Sequence, residues 1–165
     1  MNVQLDLILP PIVIGSLLLL ILGLNQMMME SQTGNRLNME MQTFANTTLL
    51  VLQEELRDVH DVLGITDSTL VYNTPNLDTV RIVRQGREMH LIRSNISTSL
   101  QDTTRYASRL ADLRFTLFLL DGVGPAMLRV RVETESTPEQ EVGVRTARYR
   151  SFAERDFYLR NLDLD

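Results

Sequence analysis

The sequence predicts an α+β protein: a long N-terminal helix, hydrophobic in its lower half and amphipathic in its upper half, packed on a small antiparallel β-sheet head domain. Three observations carry that reading. Leu7 to Met29 contains no charged residue over 23 positions. Beyond it, apolar residues recur at steps of three and four as far as Leu63, the spacing of one helix face. After Gly64 the period drops to two, the repeat of strands. The chain therefore divides into residues 1–29, the apolar half-helix, 30–64, its amphipathic continuation, and 65–165, a β-rich globular head.

Composition narrows the function classes. A chain of 165 residues holds one domain of ordinary size with an extension to spare. The net charge of −5 offers no basic footprint, and no nucleic acid is predicted as a partner. All 16 basic residues are Arg, which reads as composition before function. With no Cys, disulfides and thiolate metal sites are excluded.

The apolar run comes first in the chain. About 20 apolar residues span a bilayer core as a helix, so this one is long enough. A cleavable signal peptide fits it poorly. Met1 to Asp6 holds an acid and no Arg or Lys, and no Ala-x-Ala-like site follows Leu24. A retained span is expected. The first basic residue after it is Arg36, so orientation is weakly signalled. Pro10 and Pro11 fall in the first turns, where proline costs least or where a kink forms. Gly15 and Ser16 make a small-residue patch, either a place for another helix to approach or an incidental feature of a plain anchor.

The amphipathic continuation follows. Leu49, Leu52, Leu56, Val59 and Leu63 form its core face, and Leu37, Met41, Phe44, Thr48 and Val51 widen that face towards the N-terminus. Glu54 with Arg57, and Arg57 with Asp61, stand at helical pairing distance on the wetter side. Gly64 is the expected stop. Gly34 and Asn35 are the point where the helix is expected to kink or loosen.

The head reads as hairpin-connected strands with one buried face, which the upper helix would cover. A short strand is expected over Thr69 to Asn73, ended by Thr74-Pro75. Val80 and Ile82, then Met89 and Leu91, alternate around Arg84-Gln85-Gly86-Arg87, a hairpin turn with Gly supplying the unusual backbone angle. Leu113 to Leu119 and Leu128 to Val132 are the two strongest strands, separated by Asp121-Gly122 and Gly124-Pro125. A polar loop at Thr137-Pro138-Glu139-Gln140 precedes further short strands over Val142 to Tyr149 and Asp156 to Leu159.

Residues suited to chemistry are few, and no enzyme, cofactor or metal is predicted. His60 sits between Asp58 and Asp61, but on a helix such neighbours point to different sides. His90 falls on the outward side of a hairpin strand. There is no phosphate loop or nucleophile elbow. Asn46-Thr47-Thr48 and Asn95-Ile96-Ser97 match the glycosylation triplet, a pattern that chance supplies often. Arg145, Arg148, Arg150, Arg155 and Arg160 make either a basic surface or, with Glu154 and Asp156 interleaved, a salt-bridged strand face. Tyr72, Tyr106, Tyr149 and Tyr158 suit ordinary strand roles better than a carbohydrate-binding surface.

In this order of parts the chain resembles the type IV pilin superfamily, particularly minor pilins and the minor pseudopilins of type II secretion. Asp6 heads the apolar run and Gly15 follows it by nine residues, an acid-to-glycine spacing similar to that of mature pilins. The ending "RSFAERDFYLRNLDLD", with its Arg160-Asn161 pair, looks like the terminal strand of larger minor pseudopilins. Two features depart from the family. Met1 to Leu5 carries neither a basic leader ending in Gly nor the aromatic residue that follows its cleavage point. The prolines also come earlier along the helix than is usual.

The resemblance implies a pilin- or pseudopilin-like structural subunit of a cell-surface or envelope-spanning filament. Residues 1–29 would serve in turn as membrane span and filament core. Copies of itself or homologous pilin-like subunits, the inner-membrane assembly machinery and the lipid bilayer are the implied partners. The head would lie outside the cytoplasm. Asp6 is implied to pair with the N-terminal amine of a neighbour and set axial register; otherwise it is a solvated acid just outside the bilayer. The competing expectation is a single-pass membrane-anchored accessory subunit of an envelope complex that does not polymerise.

Overall fold

The computed structural model describes residues 3–95, 98, 100–107, 109–119, 126–137 and 148–159. One helix, α1 (Val3–Leu56), runs unbroken for 54 residues. A five-stranded antiparallel meander follows: β1 (Asp61–Thr66), β2 (Thr69–Asn73), β3 (Asp78–Gln85), β4 (Glu88–Asn95) and β5 (Gln101–Ala107). A second meander of three strands comprises β6 (Ala-containing segment Leu110–Leu119), β7 (Ala126–Glu135) and β8 (Arg150–Tyr158). The chain is thus a long N-terminal helix with antiparallel sheets, the α+β class that its hydrophobic periods predict.

Gly86 explains one hairpin directly. Gln85 pairs with Glu88, so Gly86 and Arg87 alone make the β3–β4 loop. Gly86 has a φ of 61°, the left-handed region that such short loops require and that glycine reaches without a Cβ clash. Arg109 adopts the same region without that freedom, at φ 49°. Its side chain is held by Glu40 at 2.8 Å and lies over the Phe44 ring at 4.8 Å, while its carbonyl accepts from the Glu135 amide at 3.0 Å. Ties to α1 and β7 hold this joint between the two sheets.

The sheets meet at the turns of the larger one. Phe115 donates its amide to the Asp67 carbonyl at 3.1 Å, and Leu110 donates to the Arg87 carbonyl at 2.9 Å. Arg84 reaches the Ala111 carbonyl at 2.8 Å. The upper part of α1 lies on β7 and β8. Ala45, Leu49, Leu52 and Leu56 from the helix join Leu70, Tyr72, Ile82, Leu91, Leu113 and Val130 from both sheets in one apolar core. Leu37 and Met41 are buried further down the helix.

The helix ends at Leu56, short of the Gly64 stop that its apolar spacing predicts. Two contacts distant in sequence account for this. The Tyr72 hydroxyl donates to the Glu55 carbonyl at 3.0 Å, satisfying one of the acceptors that a helix C-terminus leaves open. The His60 amide then donates to the Asn73 carbonyl at 2.9 Å, and Asp61 begins the ladder with β2. Leu63, expected on the helical core face, instead lies in β1 beside a bulge and is 53% exposed. The Arg57–Asp61 helical pair falls away for the same reason. Gly34 and Asn35 do not interrupt the helix.

Candidate functional site: the exposed apolar half of α1

From Leu9 to Met29, α1 carries large apolar side chains on every side, and the head covers none of them: Leu9 is 58% exposed, Leu19 72% and Met29 69%. An amphipathic helix resting on its own domain shows one apolar stripe. A helix that is apolar all round needs an apolar environment all round. At 1.5 Å per residue the charge-free run is roughly 35 Å long, against a hydrocarbon core of about 30 Å. Among the described residues this is the helix long and apolar enough to cross a membrane, by length and composition. A signal sequence near an N-terminus meets the same test.

Two of the few polar side chains here bond within the helix: Ser16 donates its hydroxyl to the Ile12 carbonyl at 2.8 Å, and Gln26 donates its amide to Glu30 at 3.2 Å, while Asn25 stands exposed. Thr33 likewise donates its hydroxyl to the Met29 carbonyl at 2.9 Å. Pro10 and Pro11 lie inside the helix, where they remove the amides that would bond the carbonyls of Asp6 and Leu7. Asp6 itself lies in the helix, and its side chain is outside the described residues. A Cβ added at Gly15 would meet nothing within 4 Å, so this glycine is not required by packing within the chain.

The other expected site residues part company. Leu49, Leu52, Leu56 and Val59 come together in the core, the last of them in the connection beyond the helix. Leu63 does not join them. Sequence reading passed over β1 and β5 as strands, and it passed over the tie between Gly34 and Tyr149. Tyr149 packs where Gly34 has no side chain; a Cβ there would lie 2.9 Å from the phenol oxygen. His90 takes the outer side of β4, as alternation demands, yet it is only 9% exposed and lies 3.2 Å from Glu88. His60 lies beyond the end of the helix on which it was expected.

On the outer side of the three-stranded sheet most of the arginines are paired, while Arg131 lies 4.8 Å over the Phe152 ring. Arg129 meets Asp156 at 2.8 Å and Glu154 at 3.3 Å, and its guanidinium holds the Asp156 carboxyl below the usual carboxylate range. Arg148 and Arg150 both reach Glu135, at 2.9 and 3.4 Å. Arg155 bonds Gln53 of the helix. Arg145, the Arg160-Asn161 pair and most of the strand expected over Val142 to Tyr149 lie outside the described residues. Among the described residues no three His, Asp or Glu side chains come together as metal ligands. No family model, curated protein or solved structure matches the chain.

Proposed function

We propose that this chain is a pilin- or pseudopilin-like structural subunit of a cell-surface or envelope-spanning filament, assembled through the apolar half of α1. The observation that carries this reading is a single helix divided between two surroundings. Its upper turns are buried in a β-rich head, and its lower half has no cover at all. Leu7 to Leu24 sits first in the inner membrane and then in a helical bundle at the filament's centre. Lipid tails and packed leucines are similarly apolar, so the transfer need not expose the segment to water.

Asp6 enters that bundle at a cost unless it finds a cation. Pairing with the N-terminal amine of the neighbouring copy supplies one and fixes axial register. Gly15 lets that neighbour come close. The assembly machinery of the inner membrane is the other partner, and the head stands outside the cytoplasm.

The test is to shear cells gently and follow the protein by gold labelling and intact mass. Label along sheared fibres, with the apolar N-terminal segment still attached, is the expected result. Asp6→Ala should still insert in membranes but lose incorporation into fibres. Wild-type protein confined to membranes would replace this reading with that of a single-pass anchored accessory subunit. Unchanged incorporation of Asp6→Ala would remove the register role alone.

A further inference from the structure

Four ties fix the position of the head along α1. Tyr149 packs at Gly34, Arg109 meets Glu40 at 2.8 Å, Ser151 bonds Gln42 and Arg155 bonds Gln53. β8 therefore climbs beside the helix, away from its apolar half, and Tyr149 is the lowest of these contacts. The helix runs unbroken from Val3 through Gly34 to Leu56, so no linker lets the head rise or turn away from the apolar half. A membrane that holds the apolar half thereby sets the height of the head.

That height is small. Gly34 stands five residues beyond Met29, about 7.5 Å along the axis. The polar layer on each side of a bilayer's hydrocarbon core is about 5–7 Å deep. With Met29 at the edge of the hydrocarbon, the Tyr149 ring reaches the outer limit of that layer. A run of roughly 35 Å fits a core of about 30 Å by tilting, which shortens the rise further. Tyr149 is half-buried, so its ring keeps an open side. A phenol suits this boundary, since its ring is apolar and its hydroxyl seeks polar partners. Arg36, exposed two residues beyond Gly34, carries its guanidinium on a long apolar stem that can reach down to lipid phosphates. Glu30 is the exposed acid at this level, and it accepts from Gln26 at 3.2 Å.

We infer that the Tyr149 end of the head is a bilayer-contact surface: α1 seats it on the headgroup layer, with the Tyr149 phenol among the lipid headgroups and Arg36 on a lipid phosphate. The inference rests on the reading of the apolar half as a membrane span, and it concerns the inserted chain before any transfer into a filament. Two anchors at one level, one from the head and one from the helix, hold the inserted chain at a set depth. They also turn the far end of β8 away from the membrane.

The chain has no Trp, so one Trp at a time reports depth without background. Full-length Leu19→Trp, Tyr149→Trp and Tyr158→Trp variants are reconstituted in phosphatidylcholine vesicles that carry a nitroxide either on the headgroup or deep in the acyl chain. Leu19→Trp should be quenched by the deep nitroxide. Tyr149→Trp should be quenched several-fold more by the headgroup nitroxide than by the deep one, and Tyr158→Trp, at the far end of β8, by neither. Arg148→Trp replaces a side chain that is 62% exposed, and it carries the same test should the larger ring at 149 disturb Gly34. If Leu19→Trp is quenched while Tyr149→Trp and Arg148→Trp respond no more than Tyr158→Trp, the head stands clear of the lipid; the inference is overturned and the span survives. Leu19→Trp untouched by the deep nitroxide would sink both.

Discussion

Tyr72 ties β2 to the end of α1 through one side chain. Its ring is 1% exposed in the core, and its hydroxyl closes the end of α1 at Glu55. Burial, aided by the nearby Glu55 carboxylate, pushes the phenol well above its usual range. The neutral form is therefore favoured by folding. The stability this contributes is fully present below the unfolded phenol value of about 10 and is lost as pH rises from there through the folded value. Thermal melts between about pH 8 and 11 should show that decline, and Tyr72→Phe should flatten it while lowering stability near neutrality by ~0.5–1.5 kcal/mol for the lost hydrogen bond.

Gly34 offers a second test at this scale. Leucine there would overpack against Tyr149 and should cost about 1–3 kcal/mol. Tyr149→Ala in the same chain should recover most of that cost, a coupling that a double-mutant cycle measures in denaturant melts. Additive effects would show that the ring does not depend on the glycine.

At the scale of elements, α1 is two helices in one. Met41 and Leu52 are 0% exposed on the face that its upper part turns to the head. Leu52→Ala should destabilise the head by ~2–5 kcal/mol, through lost transfer energy and the cavity left behind. Leu63 continues the same three-and-four spacing on paper but stands exposed in β1. Leu63→Ser should stay within about 0.5 kcal/mol. Equilibrium unfolding of both variants would separate a helix ending at Leu56 from one reaching Gly64, because only the longer helix makes Leu63 costly. The strands follow the same logic. β6 and β7 alternate cleanly because their two sides meet core and water, whereas β5 is exposed on nearly every residue and offered no apolar pattern to read.

For the whole molecule, the decisive separation is between the head's stability and the surroundings of the apolar half-helix. Leu19 is 72% exposed and touches nothing in the head. Leu19→Arg should leave the head's melting unchanged. It should weaken membrane association in flotation assays by about 2.5–3.5 kcal/mol, the cost of a cationic side chain at the centre of an inserted helix. A head that melted lower would mean that the apolar half folds back on it.

Much of this architecture follows from periodicity alone. The charge-free run, the three-and-four stripe from Leu37 to Leu56 and the period-two strands around Gly86 are local patterns, each produced by neighbours a few residues apart. They determined the α+β class, the extent of the apolar half and the identity of most core residues. Where the helix stops was decided in three dimensions. Val59 and Leu63 prolong the helical spacing, but β-ladder bonds to Asn73 and the Tyr72 cap on Glu55 are made by residues distant in sequence, and together they outweigh a local preference worth only tenths of a kcal/mol per residue. The joint at Arg109, the hidden position of His90 and the pairing of Gly34 with Tyr149 belong to the same class. Each depends on which surfaces the chain brings together, and no local repeat encodes that.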